Sequence, residues 1–273
     1  NRYLGQAYMR QDLAKEFFFQ LISLLVAIIV VHAVYVAVIR PKADAILQEQ
    51  QELQTEGIAY DMEKSLFVTI KDYEQETCFI LMLWATAIML FKANKLRWEK
   101  RFLNFKLIDL RDEMRIVPED TRKYTRHIQA IPADEQEHLV PRTLLNALQR
   151  FGSAKNIRDV AQSIKETCET EGERLDSELA IIRYIVWAIP SIGFIGTVRG
   201  ISQALGQAHK AVEGDIIGVT VSLGVAFNST FIALLISLFV MFLMHQLQLM
   251  QERFVIDCQD YCEKNVIRKL EVP

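Results

Sequence analysis

The sequence predicts an all-α polytopic membrane protein, in which long cytoplasmic helices extend four transmembrane helices. One observation is the composition: 51% of the 273 residues are hydrophobic and 24% are charged. Such a chain is too apolar on average for a water-soluble protein and too charged for one made only of spans. The other observation is that the apolar residues gather in four runs, and a helix needs about 20 apolar residues to cross a bilayer core. Together these observations define the fold class.

The four apolar runs set the boundaries along the chain. The run 17–39 is long and unbroken, whereas 78–91 is shorter and needs its flanking residues to span. The segments are 1–16, a cytoplasmic N-terminal segment; 17–39, the first span; 40–76, a periplasmic loop; 77–94, the second span; 95–180, a cytoplasmic helical domain; 181–205, the third span; 206–215, a periplasmic turn; 216–246, the fourth span; and 247–273, a cytoplasmic C-terminal helix.

The orientation follows from the basic residues near the ends of the spans. Three basic residues precede the first span, and six follow the second within fifteen positions. The loop between these spans is acid-rich instead. Because basic residues accumulate on the cytoplasmic side, both termini are predicted to be cytoplasmic.

Apolar residues at helical spacing continue beyond three of the spans. The stripe from Ile157 to Ile182 predicts a long amphipathic helix that runs into the third span. The segment from Lys92 to Arg115 is predicted to continue out of the second span, and a stripe from Leu247 to Tyr261 continues the fourth. Such stripes indicate helix packing.

The third and fourth spans each carry a face of small residues. On the third span, this face consists of Pro190, Gly193, Thr197, Gly200 and Ala204, with Gly196 and Gly200 forming a GxxxG pair. On the fourth span, it consists of Ser222, Ala226, Ser229, Ala233 and Ser237, with Thr230 beside it. Small residues allow helices to approach closely. Two interpretations remain open: helix packing inside one subunit, or a lumen that holds another helix and whose hydroxyls face an ion path.

No Asp or Glu lies in the core of any predicted span, and His32 is the only histidine deep in one. Because a proton relay in a membrane needs a carboxylate or a histidine, the main proton carrier is expected to belong to a partner. Arg199 lies nearly opposite Thr197 on the third span. We expect it to pair with Glu213 or Asp215 at the outer end, or with lipid phosphate.

Several classes of function are disfavoured by the sequence. The net charge of −3 does not suggest a nucleic-acid partner. Ser/His/Asp, HExxH and P-loop patterns are missing, so an enzyme is not expected, and no cofactor is predicted. Cys258 and Cys262 lie one helical turn apart, but zinc needs more ligands than this pair supplies, so no metal site is predicted. A passive membrane scaffold and a secondary transporter remain as alternatives.

Two stretches resemble a known family. The stretch "AIPSIGFIGTVRGI" is similar to the signature of the MotA/TolQ/ExbB proton channel family, a proline followed by Gly-x-x-Gly-Thr-Val-x-Gly. The matching positions are Pro190, Gly193, Gly196, Thr197, Val198 and Gly200. The stretch "LGVAFNSTFIALLISL" resembles the next helix of the family, in which a threonine stands in a small-residue run, and Thr230 is its match. The resemblance covers residues 175–250.

The resemblance implies a pentamer of this subunit around a dimer of a single-span partner of the ExbD/TolR/MotB type. The partner's membrane aspartate would be protonated and released, and Thr197 and Thr230 would line its path together with Ser222, Ser229 and Ser237. Proton flow would then drive rotation of the pentamer around the dimer. Each charge that crosses gains about 2.3 kcal/mol per 100 mV, which is enough for a conformational step of that size.

The resemblance also implies a place in the bacterial inner membrane, with lipids and an unidentified cytoplasmic protein as further partners. The four-span topology is similar to that of MotA, whereas the threonine after the second glycine is similar to ExbB and TolQ. Zorya anti-phage stators mix such features. The process driven is therefore open between envelope energisation, motility and anti-phage defence.

Overall fold

The computed structural model describes residues 2–55, 65–105, 107, 115–214 and 216–272. Its helices, in chain order, are α1 (Arg2–Val34), α2 (Arg40–Thr55), α3 (Leu66–Thr69), α4 (Tyr73–Lys100), α5 (Thr121–Gln129), α6 (Ala133–Gln136), α7 (Leu139–Ala154), α8 (Ile157–Ser177), α9 (Ala180–Gly206), α10 (Ala208–Val212) and α11 (Ile217–Asn265). Within the described residues, four stretches are long and apolar enough to cross a membrane: Ala14–Glu49, Tyr73–Asn104, Ile157–Gly206 and Ile217–Lys269. The predicted all-α polytopic membrane fold is therefore confirmed.

The chain divides into two units. The first, here called the span unit, comprises residues 8–89 and 181–244. The second, here called the helical unit, comprises residues 1–7, 90–180 and 245–273. Helices α1, α4, α9 and α11 contribute residues to both units.

A proline sets the path of the first span. Pro41 has no N–H, and in a regular α-helix its ring would clash with the carbonyl of Ala37. The chain responds with a π-helical turn, Tyr35–Ile39, which connects α1 to α2 without a break. Local widening of this kind lets a membrane helix tolerate a proline. The turn buries Tyr35, which is 1% exposed.

The helical unit has its own apolar core, formed by α5, α7, α8 and the end of α11. Phe151 and Phe254 are its largest fully buried members. Arg142 and Arg174 both pair with the buried Glu171, at 2.7 and 2.8 Å. Cys258 and Cys262 lie in the same core. No group of three or more His, Cys, Asp or Glu that could hold a metal ion is found among the described residues.

Two of the three expected helical extensions are present in the structure, and the third is shorter than expected. Helix α8 ends two residues before α9 begins, so the predicted run of helix into the third span is confirmed apart from one short turn. Helix α11 continues to Asn265, which confirms the extension of the fourth span. The extension of the second span is shorter than expected, because α4 ends at Lys100 and a 3-10 turn follows; residues 108–114 lie outside the described part.

The expected periplasmic loop, 40–76, contains more helix than predicted. Helix α2 occupies its first part, and α4 begins at Tyr73, before the predicted start of the second span. Residues 56–64 of this loop lie outside the described part of the chain. The early start of α4 places Glu74 and Glu76 in the first turn of this helix, ahead of the apolar run that begins at Cys78.

Candidate functional site

Helices α9 and α11 approach each other closely along the two faces of small residues. A Cβ atom added at Gly193 would lie 2.4 Å from the Cβ of Ala233, and one added at Gly196 would lie 2.5 Å from the Cβ of Ser229. At Gly200 it would lie 2.7 Å from both the backbone nitrogen of Ala226 and the backbone oxygen of Ser222. Real Cβ atoms do not tolerate such distances, so this contact needs glycine. The two small faces therefore pack against each other inside one subunit.

Pro190 creates a second link between these two helices. A proline inside a helix removes the hydrogen bond to the carbonyl four residues earlier, which here is the carbonyl of Val186. The hydroxyl of Ser237 on α11 donates to that carbonyl oxygen, at 3.1 Å. The proline of the motif thus frees an acceptor that the partner helix satisfies, as the interior of a membrane requires.

Thr197 and Thr230 form a reciprocal hydroxyl pair between the two helices. The Oγ1 of Thr197 donates to the carbonyl of Ala226 on α11, at 2.9 Å, and the Oγ1 of Thr230 donates to the carbonyl of Gly193 on α9, at 3.1 Å. The two hydroxyls also contact each other within hydrogen-bonding distance. Each hydroxyl has one proton and can both donate and accept, so each can direct its O–H to the carbonyl or to the other hydroxyl. Both threonines are half-buried at the edge of the helix contact.

The three predicted pathway serines lie inside the subunit. Ser222, Ser229 and Ser237 are buried, with exposures of 6, 1 and 7%. The hydroxyls of Ser222 and Ser229 donate to carbonyls of their own helix, at 2.8 and 2.9 Å. Of the five hydroxyls expected to line a path, only those of Thr197 and Thr230 belong to half-buried residues at the edge of the α9–α11 contact.

Arg199 is paired at the start of α4. Its guanidinium lies 2.8 Å from a carboxylate oxygen of Glu74 and 3.7 Å from one of Asp72. The expected partners differ: Glu213 is exposed and is not in an ion pair with Arg199, and Asp215 lies outside the described residues. The pairing of Arg199 with Asp215 or with lipid phosphate stays a prediction, while the ion pairs found within the described residues are with Glu74 and Asp72. The acceptors are Glu74, in the first turn of α4, and Asp72, the residue just before this helix, because this part of the chain lies against α9.

Glu76, which is 6% exposed, contacts two basic side chains. One of its carboxylate oxygens lies 2.7 Å from the Nδ1 of His32, and the other accepts from the guanidinium of Arg40. The sequence placed Glu74 and Glu76 in the loop before the second span, because the apolar run of that span begins only at Cys78. The signal that could have found them is their position in the first turn of a helix, where the helix dipole stabilises carboxylates.

The fold and this site define a class: a polytopic helical membrane protein whose last two spans are joined through glycine contacts and a threonine pair. Residues 135–260, from α6 to the latter part of α11, match the model of the MotA/TolQ/ExbB proton channel family. This match confirms the resemblance of the motifs on α9 and α11 to that family. Neither the comparison with curated proteins nor that with solved structures gives a significant match.

The family match indicates an ion-channel component of a stator-like membrane complex. Proteins of this family generally work with single-span partners of the ExbD/TolR/MotB kind. Both helices of the candidate site, α9 and the span part of α11, lie inside the matched segment.

Proposed function

We propose that this chain is the pore-forming subunit of a proton-driven stator complex that converts ion-motive force into mechanical work. Five copies form a ring around a dimer of a single-span partner of the ExbD/TolR/MotB type. The complex lies in the bacterial inner membrane, with both termini of this chain in the cytoplasm. Its helical unit passes the motion to a cytoplasmic effector in envelope energisation, motility or anti-phage defence.

The observation that carries this proposal is the Thr197–Thr230 pair. Most residues of the two small faces pack against each other inside the subunit. This packing alone would explain why the faces contain glycines and serines. It does not require two hydroxyls that contact each other at the edge of the helix contact. A hydroxyl pair can accept a hydrogen bond from a protonated carboxyl and can donate one to a carboxylate. It therefore suits both states of a partner aspartate that binds and releases a proton.

In the proposed mechanism the partner's aspartate carries the proton and this chain supplies the path. Hydroxyls cannot bind and release a proton near neutral pH. Thr197 and Thr230 therefore position the partner's carboxyl group and do not carry the proton themselves. The glycine contact between α9 and α11 keeps the two hydroxyls at a fixed separation. The ion pair of Arg199 with Glu74 ties the outer part of α9 to the first turn of α4.

The ring is tested by the mass of the intact complex. The chain is co-expressed with a candidate single-span partner of the ExbD/TolR/MotB type, extracted in a mild detergent and weighed by native mass spectrometry. We expect a mass that equals five copies of this chain plus two of the partner. A mass that fits one or two copies of this chain would contradict the ring and would favour a passive scaffold or a secondary transporter.

A further inference from the structure

A cavity of about 630 Å³ lies in the helical unit, between α5 and the last turn of α7. Its lining comes only from residues 118–129 and 148–155, so the cavity belongs to one unit. This volume is within the range of about 300–1,000 Å³ that small-molecule sites have. Pro118 and Leu148 are buried and contribute apolar surface, whereas most of the other lining residues are polar. The cavity therefore has the size and the lining of a site for a small polar ligand.

The charged side chains that line this cavity are mainly basic. Three are cationic, Arg122, Arg126 and Lys155, and one is a carboxylate, Glu119, so the lining has a net charge of +2. The chain as a whole carries −3. Within the described residues none of the three cations forms an ion pair, whereas two other arginines of the same unit pair with the buried Glu171. Positive charge gathered in a concave site favours an anion.

Helix α5 carries its cations at positions that are unfavourable for the helix itself. Arg122 and Arg126 are four residues apart, so they are neighbours on the helix surface, and like charges at this spacing repel each other. Arg122 also lies in the first turn of α5, which contains no acidic residue. The helix dipole disfavours a cation at that end. A bound anion would relieve both effects.

Lys155 lines the cavity from a backbone conformation that lysine rarely adopts. Its φ is 51° and its ψ is 31°, in the left-handed region, and its N–H donates to the carbonyl of Phe151 at 2.9 Å where α7 ends. Glycine or asparagine usually occupies such a position, because a Cβ is disfavoured there. Among the described residues, Lys155 is the only non-glycine residue with a positive φ. Strained backbone of this kind is typical of ligand sites.

A glycine contact fixes the two walls of the cavity relative to each other. A Cβ added at Gly152 would lie 2.7 Å from the Oγ1 of Thr121, so the last turn of α7 approaches the start of α5 closely. Thr121 is buried, and its hydroxyl donates to the carbonyl of Pro118 at 2.7 Å. The elements that carry Arg122 and Lys155 are therefore held in place before any ligand binds, which lowers the cost of binding.

We propose that this cavity binds a small phosphorylated molecule, whose phosphate oxygens accept hydrogen bonds from Arg122, Arg126 and Lys155. Guanidinium groups match phosphate with two parallel hydrogen bonds, and a lysine ammonium adds a compact positive charge. The phosphate can belong to a soluble metabolite or to a phospholipid headgroup, since both present the same anionic oxygens. A concave volume of this size suits these ligands better than it suits an acidic protein surface. Phosphate binding here does not depend on the proposed proton path.

Isothermal titration calorimetry on the full chain, in a neutral detergent at about 0.15 M salt, tests this site. Inorganic pyrophosphate is the soluble probe, dioctanoyl phosphatidylglycerol the lipid probe and polyglutamate the acidic peptide probe. We expect saturable binding of a phosphate probe with a Kd below about 1 mM, which weakens at higher salt because the attraction is electrostatic. Competition between pyrophosphate and the lipid identifies the source of phosphate that the cavity prefers. Saturable binding of neither phosphate probe, or of polyglutamate alone, would overturn the proposal.

Variants assign the binding to the cavity. Arg126→Gln and Lys155→Asn should each weaken binding of the phosphate probe about tenfold or more, because each removes a charge-assisted hydrogen bond. Lys123→Gln is the matched control: Lys123 is also exposed and lies on α5, but it does not line the cavity. Its affinity should stay within about twofold of the native value, because salt screens exposed charges. Equal losses in the control and in Arg126→Gln, or no loss in either cavity variant, would overturn the proposal.

Lys155→Asn has a second readout that separates binding from structure. Asparagine tolerates the left-handed backbone better than lysine does, so the ligand-free variant should unfold at the native Tm or above it. Pyrophosphate or the lipid, whichever binds, should raise the Tm of the native chain, and the variant should lose this increase. A lower Tm of the ligand-free variant together with undiminished binding would show that Lys155 serves only the end of α7, and would overturn its role as a phosphate ligand.

Discussion

Replacing Gly200 with alanine is expected to abolish recovery of a folded, monodisperse chain from membranes. The new Cβ would lie 2.7 Å from the backbone nitrogen of Ala226 and 2.7 Å from the backbone oxygen of Ser222. Backbone atoms cannot give way as the end of a flexible side chain can, so α9 and α11 must separate. Forcing extra methyl groups into a packed contact costs about 1–3 kcal/mol, occasionally more, and here the separation also breaks the Thr197–Thr230 pair.

Size-exclusion chromatography in a mild detergent, together with the temperature of thermal unfolding, measures this effect. Gly206→Ala is the matched control, because Gly206 belongs to the same helix and a Cβ there meets nothing within 4 Å. The control should elute and unfold as the native chain does. Native behaviour of the Gly200→Ala chain would show that α9 and α11 do not approach each other as described.

Replacing Thr197 and Thr230 together with valine is expected to eliminate partner-dependent proton flux while the assembled complex persists. Valine keeps the volume and the branched shape of threonine and removes only the hydroxyl. Each threonine loses a hydrogen bond to a carbonyl, at 2.9 and 3.1 Å, and such bonds contribute only about 0.5–1.5 kcal/mol each to stability. The glycine contact should therefore hold the helices together while the path loses its polar groups.

Flux into liposomes and the mass of the complex are measured side by side for this double variant. Thr220→Val provides the control: Thr220 lies on α11 too, but its hydroxyl donates only to carbonyls of its own helix, Ile216 and Ile217, at 3.2 and 2.8 Å. This control should conduct as the native complex does. Full flux through the double variant would show that the threonine pair serves packing alone.

The sequence was sufficient for the features that depend on residue size and hydropathy. Apolar runs predicted four spans, and the spacing of Gly193, Gly196 and Gly200 predicted a small face, because both follow from helical periodicity alone. The same periodicity could not decide whether that face meets a helix of the same subunit or of another. The structure shows that α11 of the same chain covers it.

The features that the sequence did not predict depend on contacts between distant segments. Pro190 stood in the motif, but its link to Ser237 depends on the register of α11 against α9. The partners of Arg199 lie more than a hundred residues earlier in the chain, at the start of a helix whose first turn is polar. A hydropathy window averages that turn with the loop before it. The hydropathy profile therefore assigns Asp72, Glu74 and Glu76 to a solvated loop.

The central claim is that this chain supplies a proton path and that a partner supplies the carrier. It is tested most directly by proton flux into liposomes that contain a pH-sensitive dye and carry a membrane potential. The chain alone should give no flux above that of empty vesicles. The complex with its single-span partner should conduct, and changing the partner's membrane aspartate to asparagine should stop conduction. Robust flux through the chain alone would contradict the claim and would assign the carrier to the titratable groups of this subunit, His32 and the carboxylates of α4.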